Sequence, residues 1–470
     1  MTKNASPPKL RRALGFRDLV LFYVVTVFGP RWMATAAAAG PSAITIWLIA
    51  GAAFFIPVVF TTLELSTRYP EEGGIYVWSR EAFGPFTAFM CGWMYWTANL
   101  PYFPSMLYFA AGNVLFVGGS RWQGLSTSAP YFMSVSLAGL VIAVWMNVRG
   151  IGTTKWLSNV GGLTGWVAGG FLIVLGGVWW TTHGSAAPIA PRAFVPSTGL
   201  KDVVFWSTIA FAFGGIEGAS TLGGEIHDPR RTVPRAVIAA ALLVTVLYIA
   251  GTLAVLVSVP RDQVSSLQGV VQAVRVMSGG TAAGLLVPIV AILLTVNALG
   301  GVGGWFAAAG RLPFVAGIDG FLPEKFAAVH PQWHTPYVAL LVQAAIAAVF
   351  VVLGQAGTSV RGAYEVLVSM SIITYFIPYL IMFAAMVRVQ RIPAPAGVVR
   401  APGGPGVGAV LGVLGFLTTA ASIILACVPA ADEANKALAV AKVVGLSAAL
   451  VAIGLVVYAV GARRRRFPAA

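Results

Sequence analysis

The sequence predicts an all-α protein that crosses a membrane many times. Hydrophobic residues make up 58% of the 470 residues, charged residues make up only 10%, and the mean hydropathy is +0.84. A soluble domain carries about 25% charged residues. Apolar stretches of about 20 residues, the length that a helix needs to cross the hydrocarbon core, recur along the chain. Glycines interrupt two of these stretches near the middle, which predicts broken helices there.

Twelve membrane-spanning helices are predicted from the apolar stretches. They cover about residues 19–46, 47–67, 85–117, 130–148, 156–181, 202–225, 234–259, 281–309, 336–354, 364–387, 407–428 and 439–461. The chain is therefore expected to form a single transmembrane domain over residues 19–461, with an N-terminal tail (1–18) and a C-terminal tail (462–470) on the same side of the membrane.

The positive charge of the chain is distributed unevenly between the two sides of the membrane. The net charge is +15. With both termini in the cytoplasm, the cytoplasmic segments hold 21 Lys and Arg residues, the outer segments hold 8, and Arg31 remains within the membrane. This asymmetry follows the positive-inside rule. We therefore assign the charge to topology in the cell membrane and to contact with anionic lipid, and we expect no nucleic acid partner.

Cysteine and histidine show no metal-binding or catalytic pattern. Cys91 and Cys427 each lie in an apolar stretch, and the four histidines fall in connecting segments. No disulfide framework, metal site or cofactor is expected from this distribution. A membrane-embedded enzyme would need a nucleophile–base pair or a metal cluster within the membrane, and the sequence offers neither.

The first broken segment is Phe211-Ala-Phe-Gly-Gly-Ile-Glu217, within an apolar stretch from about residue 203 to 222. In hydrocarbon, an unpaired backbone group costs several kcal/mol. A charged side chain at mid-membrane costs at least roughly 2.5–3.5 kcal/mol, so it marks a candidate functional site. The alternative is a packing glycine pair beside a protonated, hydrogen-bonded Glu217. The combination of Gly214, Gly215 and Glu217 favours a segment that lines a cavity.

A second broken segment, Phe28-Gly-Pro-Arg31, lies in the first apolar stretch. A shift of 185 residues places Phe28 on Phe213 and Gly29 on Gly214. Broken segments at matching positions in two halves of a membrane protein indicate a transporter built from inverted repeats.

Three motifs, one of which contains the first broken segment, together carry a family resemblance. They are Glu64-Leu-Ser-Thr-Arg-Tyr-Pro70 with Gly73-Gly-Ile-Tyr76, the segment from Phe211 to Glu217 followed by Glu225-Ile-His-Asp-Pro229, and Arg311-Leu-Pro-Phe314 with Asp319-Gly-Phe-Leu-Pro323. In this order and spacing, they resemble the amino acid–polyamine–organocation (APC) superfamily of transporters, and in particular its amino acid permeases.

The resemblance implies a leucine-transporter-like fold, with two inverted five-helix repeats (about 19–181 and 202–387) and two extra helices (about 407–461). It also implies secondary transport of amino acids by alternating access, coupled to protons or operating as exchange. In this family, helices 1 and 6 are unwound at mid-membrane and hold the carboxylate and amino groups of the substrate. Uptake of a polyamine or another organic amine is the alternative, because residues 71–78 are similar to polyamine carriers too. A sensor that binds without transport would normally carry an added soluble domain.

Helix 1 departs from the usual family pattern in its break. A half-helix N-terminus carries about +0.5 charge and suits a carboxylate. Here the break reads Gly29-Pro30-Arg31, and Pro30 has no N–H group to donate. Arg31 offers a fork of donors that matches a carboxylate, so we predict that it replaces the missing backbone donors. Two alternatives are an ion pair between Arg31 and Glu217 and an Arg31 that points into an aqueous vestibule.

Helix 6 is expected to supply backbone carbonyl groups to the substrate ammonium. The predicted binding residues here are Phe211, Ala212, Phe213, Gly214 and Gly215. Phe211 and Phe213 are further expected to form pocket walls, and Phe211 to act as a gate.

Glu217 matches the acidic residue of the family motif, which implies a proton-linked or gating role. A desolvated carboxyl group favours its neutral form, which suits proton exchange. Some proton-coupled relatives carry a lysine in helix 5, whereas the matching position here is Gly165 or Trp166. Coupling through such a lysine is therefore not expected. Four further candidate pocket residues are Tyr95, Trp96 and Asn99 in helix 3 and Asn297 in helix 8.

Overall fold

The computed structural model describes residues 15–69, 74–187, 190–196, 203–218, 228–318, 321–429, 433 and 435–466. Within these ranges the protein is helical and contains no strand. Nine helices in the described part of the chain are long and apolar enough to cross a membrane. The other three predicted spans correspond to helices that are divided into shorter pieces.

The helices of the first half begin and end as follows: α1 Phe16–Val27, α2 Arg31–Ala37, α3 Ser42–Ala50, α4 Ile56–Arg68, α5 Ile75–Phe83, α6 Pro85–Thr97, α7 Asn99–Val114, α8 Ser120–Gln123, α9 Ala129–Val148 and α10 Ile151–His183. A π-helix, Gly51–Phe55, joins α3 to α4 without interruption.

The helices of the second half are α11 Phe205–Ala212, α12 Pro229–Ser258, α13 Gly269–Ser278, α14 Gly280–Ile318, α15 Tyr337–Gln355, α16 Val360–Val389, α17 Pro405–Ala426 and α18 Lys436–Arg466. The short helix α5 lies between the second and third predicted spans, and α13 lies between the seventh and eighth.

Both predicted helix breaks are present. Between α1 and α2, the chain leaves the helical conformation at Phe28, and α2 begins after Pro30. After α11, the chain turns through Phe213–Gly215. Gly215 has a φ of +117°, a conformation that glycine reaches without the steric cost of a side chain. Residues 219–227, which complete the predicted sixth span, lie outside the described residues.

The segment Gly40-Pro41-Ser42 predicts a short turn between the first two spans, and that turn is present, although the range 19–46 assigned to the first span extends past it. The turn lies at Gly40, where φ is +80°, and α3 begins at Ser42. Hydropathy misplaces the boundary because apolar residues continue on both sides of the turn. The eighth span also runs further than predicted, since α14 continues to Ile318.

Two long helices, α10 and α14, pack closely against each other. A Cβ atom on Gly161 of α10 would lie only 2.6 Å from the Cα atom of Gly300 in α14. The backbones of the two helices therefore touch, as small residues allow in membrane proteins.

A buried polar cluster joins α4 to α16 at one end of the helices. Arg68 Nη2 lies 3.6 Å from Glu64 Oε1, and Gln390 Nε2 donates to the same oxygen at 2.9 Å. Arg68 also donates to the carbonyl groups of Ile392 and Pro393. The cluster therefore fastens the chain after α16 to the end of α4.

Apolar side chains are exposed along the outer faces of the helices. On α10, Leu163, Val167, Val174 and Val178 are all at least half exposed and share one helical stripe. Such a stripe is unfavourable in water, whereas a bilayer buries it. The outer surface therefore fits a lipid environment.

Candidate functional site

A cavity of about 100 Å³ lies between the two helix breaks. Seven predicted site residues line it: Gly29, Arg31, Asn99, Phe211, Ala212, Gly214 and Asn297. The remaining lining residues are Thr26, Val27, Phe28, Trp32, Ala98, Tyr102, Met106, Phe109, Gly301, Trp305 and Tyr375. The cavity thus brings together residues of both breaks and of helices α7, α14 and α16.

Among the described residues that line this cavity, Arg31 is the one that carries a charge. Its side chain is buried, with 3% of its surface exposed. Nη1 donates to Ser105 Oγ at 3.3 Å, and Nη2 has no partner in hydrogen-bond geometry within the described part of the chain, although the Tyr364 side chain interacts with the guanidinium. The guanidinium stacks on the rings of Trp32 and Tyr102, at 4.0 and 5.0 Å. Aromatic faces orient the cation but provide no counter-charge.

The expected alternatives for Arg31 can be compared with this geometry. Among the described residues, no ion pair joins Arg31 to Glu217. The deep burial of Arg31 also disagrees with a side chain that points into an open aqueous vestibule. A buried cation without a paired charge is costly, and none of the described residues forms an ion pair with Arg31.

Glu217 is held by hydroxyl and backbone donors. The hydroxyl groups of Tyr95 and Tyr375 donate to Oε1 at 3.1 and 2.6 Å. The Tyr379 hydroxyl and the Gly215 N–H group donate to Oε2, the latter at 3.1 Å. Each carboxyl oxygen therefore accepts from two donor groups. The carboxylate thereby ties α6 and α16 to the second break.

Glu217 itself does not line the cavity, whereas Tyr375 does. Tyr375 therefore contacts both the carboxylate and the cavity. Tyr375 and Tyr379 were not predicted from the sequence. The signal that could have found them is their spacing of four residues, which places both on one face of the tenth span.

The two predicted aromatic walls occupy different places. Phe211 lines the cavity and packs edge-on against Trp32 and Tyr375, with ring centroids 5.6 and 5.5 Å away. Phe213 lies outside the lining and packs against Trp47 and Phe55 at 5.1 and 4.4 Å. Phe211 thus bridges α2 and α16 at the cavity, and Phe213 belongs to the packing behind it.

Four of the remaining predicted residues support the site without lining the cavity. Pro30 precedes α2, while Gly215 and Tyr95 hydrogen-bond to Glu217. Trp96 donates through its Nε1 to Gln343 Oε1 at 2.9 Å, on the side facing α15.

The two predicted asparagines line the cavity and are held by backbone carbonyl groups. Asn99 Nδ2 donates to the carbonyl oxygen of Tyr95 at 2.9 Å, and Asn297 Nδ2 donates to that of Gly161 at 2.9 Å. A Cβ atom at Gly165 would lie 2.3 Å from Asn297 Nδ2. A lysine at position 165 would therefore displace Asn297.

The model of the amino acid permease family matches residues 14–459 of the chain. The chain belongs to this family. The three motifs and the two broken helices of the permease agree with that assignment, and the predicted resemblance is confirmed.

Relatives of the permease match over most of its length. An uncharacterized transporter of Legionella pneumophila is 29% identical, over 89% of this chain and 90% of its own. A probable agmatine/putrescine antiporter of Lactococcus lactis is 22% identical, over 87% of each chain. A glutamate/gamma-aminobutyrate antiporter of the same species is 24% identical, over 90% of this chain and 84% of its own.

The crystal structure of MhsT in complex with L-phenylalanine is similar to the permease in fold. The TM-score is 0.61 at 17% sequence identity, over 88% of this chain and 99% of that chain. The predicted leucine-transporter-like fold, with two inverted five-helix repeats and two further helices, is thereby confirmed. The permease is a transporter of this fold.

Proposed function

We propose that the permease carries zwitterionic amino acids across the cytoplasmic membrane by alternating access, and that Arg31 binds the substrate carboxylate. The observation that carries this proposal is Arg31, a buried cation in the cavity lining for which the described residues provide no ion pair. A carboxylate in the cavity would supply the missing counter-charge.

The helix ends in the cavity lining suit an ammonium group. Two helix C-termini, those of α1 at Val27 and of α11 at Ala212, reach the lining. A helix C-terminus carries about −0.5 charge. The described residues that line the cavity include no aspartate or glutamate, so an ammonium group here would rely on carbonyl oxygens. Met106, Phe109 and Trp305 leave an apolar surface for the substrate side chain.

Transport of an amine is the second candidate, favoured by the relative named as an agmatine/putrescine antiporter. The cavity lining argues against an amine substrate, because Arg31 would repel a dicationic substrate in a confined, partly desolvated site. The two candidates differ in whether a carboxylate improves or weakens binding.

A set of three matched ligands separates these candidates. The amino acid that gives the largest thermal shift with the purified permease is compared with its decarboxylated amine and its deaminated acid. For leucine these are isoamylamine and isocaproate. We expect the amino acid to bind most tightly and to drive counterflow in liposomes. Tighter binding of the amine than of the amino acid would place amine transport first.

Arg31→Lys tests the role of the guanidinium fork while keeping the charge. We expect weaker binding of the amino acid and unchanged binding of the amine. Arg149→Lys is the matched control, since Arg149 also stacks on a tryptophan ring, at 4.2 Å from Trp145, but does not line the cavity.

We further propose that transport is coupled to protons through Glu217 or proceeds as exchange. The crowded position of Gly165 supports a mechanism without a helix-5 lysine. The two antiporters among the relatives support exchange. Uptake into liposomes is measured with either an inward proton gradient or internal amino acid. Stimulation by the gradient alone indicates proton coupling, and stimulation by internal amino acid alone indicates exchange.

We also propose an orientation of the permease in the membrane. Both termini are placed in the cytoplasm, and lipid contacts the exposed apolar faces of the helices. Single cysteines introduced at residue 2 and at residue 469 should react with a membrane-impermeant thiol reagent only after the cells are opened. Labelling of intact cells would contradict this orientation.

A further inference from the structure

One phenol group contacts both helix breaks. Tyr248 lies in α12 and is fully buried. Its hydroxyl accepts a hydrogen bond from the Gly29 N–H group at 3.1 Å. It also lies within donor distance of two carbonyl oxygens, that of Val27 at 2.6 Å and that of Ala212 at 3.1 Å. Val27 ends α1 and Ala212 ends α11, so this one oxygen atom joins the two unwound segments.

The ring of Tyr248 packs against two phenylalanines that occupy matching positions in the two halves of the chain. Phe28 and Phe213, which precede the matching glycines, pack against it with ring centroids 5.5 and 5.9 Å away. Trp47 stacks on its face at 4.5 Å. Because the ring is enclosed on several sides, the hydroxyl oxygen has a fixed position between the breaks.

The hydroxyl has a single proton and two carbonyl acceptors. A phenol donates one hydrogen bond, so at any moment it pairs fully with either Val27 or Ala212. Both carbonyl-bearing residues line the cavity. A rotation of the O–H bond changes the acceptor, without movement of the ring and without breaking the bond from Gly29.

We propose that Tyr248 is a positioning residue that sets the carbonyl groups for the substrate ammonium. Before substrate binds, its O–H group is shared between the two breaks. When an ammonium group binds to the Ala212 carbonyl oxygen, the O–H group pairs with Val27 alone. In the bound state each of these two carbonyl groups then has a partner of its own, and the bond from Gly29 to the phenol oxygen is kept in both states.

This inference rests on the proposed function, since it assigns the ammonium half of the zwitterion site. In this proposal Arg31 binds the carboxylate, and Tyr248 positions the carbonyl groups that bind the ammonium. Variants of the two residues should therefore change the affinities for different ligands.

The test compares Tyr248→Phe with the wild type, using the amino acid and its deaminated acid as ligands in a competition assay. We expect the amino acid to bind about fivefold to tenfold more weakly to the variant, the effect of losing one or two hydrogen bonds. The deaminated acid has no ammonium group, so its affinity should change by less than about twofold. Tyr108→Phe is the matched control, because Tyr108 is equally buried and its hydroxyl donates to Gln355 Oε1 at 3.1 Å. It should affect neither ligand.

Equal losses for both ligands would overturn the proposal and make Tyr248 a packing residue. Wild-type affinity for the amino acid would overturn it as well. If the variant does not fold, hydrogen–deuterium exchange on the wild type decides. Amino acid should slow exchange at residues 24–32 and 209–216 together, and protection of only one segment would contradict the joint role. Failure of the proposed function looks different, because the wild type would then bind no amino acid.

Discussion

The two helix breaks occupy matching places in the repeats, yet their charged residues are in opposite situations. At the first break, Arg31 is buried with one donor group unpartnered. At the second, both oxygens of Glu217 accept hydrogen bonds from tyrosine hydroxyls and a backbone N–H group. The Nη2 group of Arg31 has no hydrogen-bond partner among the described residues, whereas both oxygens of Glu217 have partners.

This difference separates binding from positioning. An unpartnered buried donor gains free energy when a ligand supplies the acceptor, so we expect a substrate carboxylate to change the free energy most at Arg31. A saturated carboxylate gains little from a ligand, but its loss leaves several donors unsatisfied. Glu217 therefore holds α6, α16 and the second break together.

The largest expected effect is that of Arg31→Ala on amino acid binding. Loss of a charge-assisted hydrogen bond worth about 1.5–3 kcal/mol should weaken binding by about tenfold to a hundredfold. The decarboxylated amine should bind no more weakly than to the wild type. Isothermal titration of both ligands provides the measurement. Equal weakening of the two would mean that Arg31 supports the fold and does not read the carboxylate.

Glu217→Gln should affect stability and pH dependence more than affinity. An amide group has two donors where the carboxylate had acceptors, so the N–H group of Gly215 or a tyrosine hydroxyl loses its partner. We expect a loss of about 1–3 kcal/mol in the free energy of unfolding and a flatter dependence of transport on pH. Glu365→Gln, in a partly exposed pair with Arg361, is the control. A pH profile that matches the wild type would leave Glu217 without a role in coupling.

The two glycines of the breaks should respond differently to alanine. Gly215 has a φ of +117°, and a Cβ atom there would lie 3.2 Å from the carbonyl oxygen of Thr26. Gly215→Ala should therefore destabilise the protein by about 1–3 kcal/mol. A Cβ atom on Gly29 would meet only the side chain of Trp32, at 3.0 Å, and Gly29→Ala should cost less. Thermal unfolding in detergent compares the two, and equal melting temperatures would remove this distinction.

The smallest expected effect is that of removing one tyrosine hydroxyl from Glu217. Tyr375→Phe should cost about 0.5–1.5 kcal/mol, the net value of one hydrogen bond. Tyr379→Phe should cost about the same or somewhat more, because its hydroxyl also accepts from the Gly215 N–H group at 3.1 Å. Only Tyr375 lines the cavity, so only Tyr375→Phe should also change the affinity for substrate. An equal change of substrate affinity in Tyr379→Phe would show that the effect arises from the Glu217 carboxylate and not from the Tyr375 phenol.

The sequence predicts the breaks because their signals are local. A glycine pair and a charge within an apolar stretch can be read without knowing what they contact. The same signals identify Gly29, Arg31, Phe211 and Gly214, all of which line the cavity.

Partners that lie far apart in sequence escape this kind of prediction. Gly29 and Tyr248 are separated by 219 residues, and Glu217 and Tyr379 by 162. A tyrosine in an apolar stretch looks the same whether its hydroxyl meets a helix break or packs elsewhere. The direction of Phe213, away from the cavity, is likewise set by the turn at Gly214 and Gly215 and not by hydropathy.

The π-helix at Gly51–Phe55 determines the directions in which the side chains after it in the second span point. A π-helix turn holds one residue more than an α-helix turn. Each residue of an α-helix advances the side-chain direction by about 100°. Removal of one residue between 51 and 55 would restore a uniform helix, but it would rotate Glu64 and Arg68 by that angle away from Gln390. The length of this short segment therefore determines whether the polar cluster between α4 and α16 can form, although the segment itself contains no charged or hydroxyl side chain.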